Sequence, residues 1–274
     1  MPKGAPLPPS STRDGNLRAY RQPDTVDLIR QRSGWIDVAE RTMVNRVADE
    51  VRSRPILDIG VGGGRTSWML RLLSDAYVAV DYSPEMVEAC RLQCPGIDVR
   101  QCDARDLSAF EDGRFALVMF SFNGIDVLDH KGRLAALAEM HRVLEPGGVL
   151  LYSTGNRNGS LYARRPWSLR RARATRLVPT LVRLPMSLPR YWRTYRNWWQ
   201  RRRFAEDHGS WAVCTSRAYE FRIVAHWTLP STELHLLDSV GFTVGEMLGY
   251  EGAQVEDDSA ITPYFYVLAR KRES

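Results

Sequence analysis

Apolar positions along this chain follow two rhythms in turn. Ile36, Ala39, Met43, Val47 and Val51 return every three to four residues with charged residues between them, which predicts one amphipathic helix ending before Pro55. Continuous apolar runs then take over at 56–60 (ILDIG), 77–81 (YVAVD), 97–100 (IDVR), 115–121 (FALVMFS) and 148–154 (GVLLYST). These are read as strands, with helices near 65–73, 84–93 and 131–144 between them. Strands that are apolar throughout and separated by helices belong to a parallel sheet covered on both faces. After residue 230 the pattern gives a helix at 231–239 and strands at 242–248 and 264–270. The last two are joined by a loop, so they are expected to pair as an antiparallel hairpin at the sheet edge. The expected fold is α/β, a doubly wound, mostly parallel seven-stranded sheet.

Between the fifth strand and the closing unit lie residues 155–230, far more than the usual two-to-six-residue connection. They are expected to form an inserted helical lid or arm. Residues 1–12, rich in Pro and Ser, bury too little apolar surface to order and are expected to be a flexible tail. Residues 13–154 would then hold the N-terminal helices and the first half of the domain, and 231–274 would close it.

Composition narrows the class. Of 274 residues, 44% are hydrophobic and 26% charged, the balance of a globular chain rather than a disordered or collagen-like one. No apolar run approaches the roughly 18 residues of a membrane span, and the start has no secretory apolar core, so the expected location is the cytoplasm. Cys90, Cys94, Cys102 and Cys214 form no C-x-x-C pair, which speaks for reduced thiols rather than a thiolate metal site.

Charge is unevenly distributed. Residues 157–203 hold 14 Arg and no Lys, Asp or Glu, so this stretch carries +14 and the rest of the chain −8. A mildly acidic body thus bears one intensely basic segment.

The strongest chemical signal is Ile56 to Arg65 (ILDIGVGGGR), a glycine-rich turn between a buried strand and a helix. Gly60, Gly62 and Gly64 let the backbone take positive φ and approach a ligand, while the helix N-terminus favours negative charge. A dinucleotide fingerprint starting at Gly60 would require glycine where Arg65 stands, which disfavours a nicotinamide cofactor. Asp81 ends the second strand about 20 residues on, where a carboxylate accepts both hydroxyls of a ribose. An adenosine without a pyrophosphate fits both observations.

In these motifs the chain resembles the class I S-adenosylmethionine-dependent methyltransferases. ILDIGVGGGR is similar to their first motif and VAVDYSPEM to the second. CDARDL is similar to the segment whose carboxylate binds the adenine amino group, FALVMFSFNGID to the fourth-strand motif, and RVLEPGGVLLYST to the turn into strand five. The likeness runs well through 56–154 and loosely through 228–270. It implies S-adenosylmethionine as cofactor, held by Asp58, Gly60, Gly62, Gly64, Asp81 and Asp103, with Tyr82 and Met86 flanking the adenine and Ala104 and Ser121 beside it. On a divalent metal the sequence is silent.

In open α/β sheets the acceptor binds outside the carboxyl ends of the strands, where the loop Asn123 to His130 is expected. His130 has the pKa of a general base, Asp126 is placed to orient it or share the work, and His226 is a second candidate base. Helix capping is the structural alternative for His130. In the arm, Trp192, Tyr195, Trp198 and Trp199 beside arginines match a sugar platform, while the same mixture also suits nucleic acid or anionic lipid. Prolines 166, 179, 185 and 189 are expected to break the arm into short pieces, which weakens the lipid reading. The arm is also expected to be able to dock on Glu251, Glu256, Asp257 and Asp258, within one chain or across a homodimer. The resulting expectation is methyl transfer to a hydroxyl of a small polar molecule, foremost a saccharide. An RNA methyltransferase and a non-catalytic cofactor-binding partner subunit are the alternatives.

Overall fold

The structure, a computed structural model, describes residues 11–31, 34–167 and 180–273, the side chains of 180–188 excepted. Strands β1 (Ile56–Ile59), β2 (Tyr77–Asp81), β3 (Asp98–Gln101), β4 (Phe115–Phe120) and β5 (Leu144–Asn156) lie parallel in the order β3-β2-β1-β4-β5. Each sits within a few residues of its predicted run. Helices α3 (Val38–Val51), α4 (Ser67–Arg71), α5 (Pro84–Gln93) and α6 (His130–Val143) cover the faces.

Alternation along each strand divides the core in two. Leu57, Ile59, Val118, Phe120 and Leu150 join Leu137 and Met140 of α6 on one face. Ile56, Leu117, Met119 and Leu151 join Met43 and Val47 of α3 on the other. Both faces of every central strand are dry, which is why those strands read as unbroken apolar runs.

The closing unit is α8 (Pro230–Val240), β9 (Phe242–Gly249) and β10 (Tyr264–Lys271). The hairpin is antiparallel as expected, but only β9 is an edge. β10 inserts between β5 and β9, antiparallel to both, and buries Phe265 to Ala269.

The insertion is not purely helical. Besides α7 (Thr180–Arg201) it holds β6 (Glu206–Asp207), β7 (Trp211–Ser216) and β8 (Ile223–Thr228), an antiparallel set that brings the whole sheet to ten strands. β8 attaches to the far end of β5, parallel, through Gly155 with Trp227 and Asn156 with Thr228. A Cβ on Gly155 would lie 2.7 Å from the Trp227 ring, so glycine is what allows this junction. The helix α7 runs through Pro185 and Pro189 rather than breaking at them.

Two short helices precede the domain, α1 (Thr12–Tyr20) and α2 (Pro23–Arg30). The expected tail therefore ends earlier: Ser11 caps α1, its side chain accepting from the Asp14 amide, while residues 1–10 lie outside the described residues. Buried Asn16 fixes α1 to β8 by accepting from the Val224 amide at 2.9 Å and donating to the carbonyls of Val224 and Val127 at 2.8 and 2.9 Å. Among the described residues no helix is long and apolar enough to cross a membrane.

Candidate active site

The turn from β1 into α4 is built by steric demand. Gly60, Gly62 and Gly64 have φ of +66°, +55° and +84°, where a side chain is strained. A Cβ on Gly60 would meet the Phe120 ring at 2.6 Å, and one on Gly64 would meet Cys94 Sγ at 2.6 Å. The tight turn brings the Gly62 amide to Asp81, whose Oδ2 accepts from it at 3.0 Å, while Oδ1 accepts from the Ser83 amide at 2.9 Å. Burial pushes the Asp81 carboxyl up to about 6 against these bonds. Asp58 is likewise raised to about 6 by burial, although its Oδ2 accepts from Thr66 at 2.7 Å and Tyr77 at 2.8 Å.

A cavity opens over this turn at the carboxyl ends of β1, β2 and β4. Of the residues expected to hold the cofactor, Asp58, Gly60, Gly62, Asp81, Tyr82, Met86, Asp103, Ala104 and Ser121 line it. Gly64 does not; it packs on Cys94 behind the turn. The Tyr82 hydroxyl is buried in this wall with no partner among the described residues. A carboxylate with acceptor capacity, an orphaned phenol and side-chain-free backbone are the groups that an adenosyl ligand's diol and ring would engage, so the wall fits such a cofactor.

Asp103 is less free than the sequence implied. It accepts from Arg105 through the amide, Nε and a terminal nitrogen, and from Arg13 of α1 at 2.9 Å. These partners hold its carboxyl below the usual range despite burial. Ser121 is also engaged: its hydroxyl bonds Glu40 and accepts from Arg65 at 2.7 Å. Glu40, fully buried on α3, takes both terminal nitrogens of Arg65. In the sequence Glu40 read as one of the charged positions on a solvated helix face.

Val127, Leu128 and Asp129 join the wall from the loop expected to face the acceptor. Not anticipated were Arg13, Asn16 and Tyr20 of α1, Ile29 of α2, Phe122 and Tyr219, which also line it. The Tyr20 ring stands edge-on to Tyr82 and Tyr219, with centroids 6.0 and 5.7 Å apart. Tyr219, Glu220 and Phe221 are consecutive left-handed residues, with φ of 50°, 57° and 61°, a costly backbone that its surroundings must hold. The helix α7 does so: Arg190 and Arg193 donate to the Glu220 carboxylate at 2.9 and 2.8 Å, and Asn197 donates to its carbonyl at 3.0 Å. Arg190 and Arg193 of the basic arm thus pair with Glu220 rather than with the carboxylates at 251–258, although Asn158, early in the arm, donates to the Asp258 carbonyl at 2.9 Å. The Asp258 carboxylate instead accepts from the Ser231 amide and hydroxyl at the start of α8.

The structure brings His130 and His226 together, but not to the cavity wall. His130 Nδ1 lies 3.4 Å from His226 Nε2. Trp211 is sandwiched between His208 and His130, with centroids 3.9 and 4.1 Å away. Burial lowers both catalytic candidates, His226 to about 2, with Arg133 adding to the effect in each. Nor does His130 cap its helix; Asp129 does, accepting from the Gly132 amide at 2.7 Å.

Asp126 does not orient His130. Its carboxylate accepts from Arg133 at 3.0 Å, Thr154 at 2.7 Å and the Gly155 amide at 2.7 Å, and burial raises it to about 7. Arg133, wholly buried, also donates to Glu233 at 2.6 Å, and Tyr152 donates to the same carboxylate. Asn123, left-handed at φ 59°, gives its amide to Ser153 Oγ and is not part of the wall. Trp192, Tyr195, Trp198 and Trp199 cluster on α7, outside the cavity. No group of three or more His, Cys, Asp or Glu among the described residues is arranged to hold a metal.

Residues 56–148 match the profile of a family described as a methyltransferase domain. The chain is 33% identical over 113 residues to the ubiquinone biosynthesis O-methyltransferase of Xanthomonas campestris, which covers 39% of this chain and 46% of that one. It is 33% identical over 141 residues to phthiotriol/phenolphthiotriol dimycocerosates methyltransferase 1 of Mycobacterium ulcerans, covering 49% and 51%. The chain therefore spans about half the length of the curated relatives it matches. Among solved structures, the 1,6-didemethyltoxoflavin-N1-methyltransferase of Burkholderia thailandensis, with 1,6-didemethyltoxoflavin and S-adenosylhomocysteine bound, shares the fold with a TM-score of 0.56. That likeness covers 99% of this chain and 94% of the other at 16% identity.

Proposed function

We propose that this class I S-adenosylmethionine-dependent methyltransferase domain moves a methyl group to the hydroxyl of a small acceptor bearing a flat, apolar ring. The observation that carries this reading is the group of aromatic and apolar side chains, Tyr20, Phe122, Val127, Leu128 and Tyr219, that lines the cavity together with Arg13, Asn16 and Asp129. Two features weigh against a saccharide, the sequence-based first choice. The rings matched to a sugar platform stand outside the cavity. A sugar hydroxyl also gains most from a positioned imidazole, and no histidine lines the wall among the described residues. A phenolic hydroxyl, ionising near 10 as tyrosine does, needs less help.

The bound donor would supply a methyl group already activated by its sulfonium. Asp81, Gly60 and Gly62 would hold the donor, and the aromatic wall would keep the acceptor in line with the methyl at close approach. The likeness to an O-methyltransferase supports oxygen as the acceptor atom.

The test is label transfer from S-adenosylmethionine into pools of phenols, saccharides and total RNA. Label in phenols is the expected result. Label confined to saccharides or RNA overturns the acceptor reading, and cofactor binding without transfer to any pool overturns the catalytic one.

A further inference from the structure

The helix α7 has two faces. Arg190, Arg193, Thr194, Asn197 and Arg201 recur at helical spacing on the side that meets the rest of the chain: Thr194 is buried, Arg201 donates to the Gly15 carbonyl, Asn197 donates to the Glu220 carbonyl, and Arg190 and Arg193, still largely exposed, pair with the Glu220 carboxylate. The opposite stripe is Trp192, Tyr195, Arg196 and Trp199. Trp192 is 69% and Trp199 51% exposed, and Arg196 is exposed beside them. The Arg202 guanidinium lies 3.4 Å from the Trp199 ring centroid. Indole rings of this exposure, two helical turns or about 10 Å apart on one stripe, call for a partner.

We propose that this face docks on an anionic lipid bilayer, with Trp192 and Trp199 seated at headgroup level and Arg196 and Arg202 on lipid phosphates. Tryptophan and arginine together are what the membrane–water interface favours, and the stretch 157–203 has no acidic residue to oppose it. The expected breaks at Pro185 and Pro189 are absent, because α7 is continuous through both, while Pro166 precedes the helix and Pro179 lies outside the described residues. A nucleic acid strand would need a groove and separated rings on which to stack bases. Here the stripe runs along the outside of a helix, and Tyr195 already packs on both Trp192 and Trp199, at 6.1 and 6.3 Å. The proposal does not depend on the acceptor.

The full chain is to be sedimented with vesicles of phosphatidylcholine alone and of phosphatidylcholine mixed with phosphatidylglycerol, with tryptophan quenching by brominated acyl chains as a second readout. At least about tenfold stronger partition to the anionic vesicles is expected, falling with salt. The pair Trp192→Ser and Trp199→Ser should cost about tenfold in partition, and the pair Arg196→Gln and Arg202→Gln should remove the preference for anionic lipid. Affinity for S-adenosylhomocysteine, unchanged in both, shows that the variants are folded; if the tryptophan pair fails to fold, the arginine pair carries the test. Equal or absent binding to the two vesicle types overturns the proposal. So does a loss of total-RNA binding in these variants with vesicle binding intact, or a dimer that the tryptophan pair converts to monomer.

Discussion

Arg65 places its two terminal nitrogens 2.6 and 2.7 Å from the two carboxylate oxygens of Glu40, and Glu40 is inaccessible to solvent. This pair joins the glycine turn to α3, and Ser121 joins it to the end of β4. A buried fork of this kind adds little net stability while intact, because desolvation offsets the attraction, but it is costly to halve. Glu40→Ala should therefore lower unfolding stability by about 3–5 kcal/mol, read by urea titration. A loss under about 1 kcal/mol would show that Arg65 finds another partner.

Asp81 is the residue on which donor binding should depend most. Asp81→Ala should weaken S-adenosylhomocysteine by about 2–3 kcal/mol, the scale of charge-assisted bonds to a diol. Calorimetry checks it, and unchanged affinity would remove Asp81 from the site.

The same carboxylate predicts a pH dependence. Burial puts it at about 6 in the ligand-free protein, above its ordinary 3.8. The stabilising effect of that shift on the empty protein is present below about 4 and lost as pH rises through 6. Donor hydroxyls favour the ionised form, so affinity runs the other way, full above 6 and falling about tenfold per pH unit below it. An isothermal titration series from pH 5 to 8 should show this slope in the wild type and lose it in Asp81→Asn. A flat wild-type profile would place the proton elsewhere.

His130 stacks on Trp211 and touches His226, away from the cavity wall. His130→Ala should keep turnover within about tenfold of wild type, against the hundredfold or greater loss that removal of a general base brings. Single-turnover rates decide it, and a loss beyond a hundredfold with the fold intact would restore the base role expected from sequence.

The buried network around Arg133 should be structural. Arg133→Leu leaves Asp126 and Glu233 facing one another without a cation, and should cost about 3–5 kcal/mol. Donor affinity at a temperature where the variant is folded should change little.

The parallel sheet and the glycine-turn wall of the cavity were legible because local pattern decides them. Short dry strands, a glycine turn and the carboxylate of Asp81 at a strand end occupy contiguous sequence and mean the same thing wherever they occur. What escaped depends on pairings distant in the chain. Glu40 reads as a solvated helix charge until Arg65, 25 residues on, is folded against it. Tyr219 and Tyr20 meet only because α1 packs on β8 through Asn16. β8 lies in a stretch expected to be a helical arm, and its place is set by two residues of β5, Gly155 and Asn156. Asp126 and His130, four residues apart, looked like partners, but the turn between them sends Asp126 inward to Arg133 and His130 outward to Trp211.

The segment that matches the methyltransferase profile begins at residue 56, yet Arg13, Asn16, Tyr20 and Ile29 stand over its ligand cavity. Helices α1 and α2 are thus part of the unit that forms the cavity. A chain shortened to the matched segment would keep the floor of the cavity and lose its ceiling, and an affinity tag joined close to Ser11 would sit beside the α1 cap. Where the boundaries of this domain are drawn decides whether the cavity is whole.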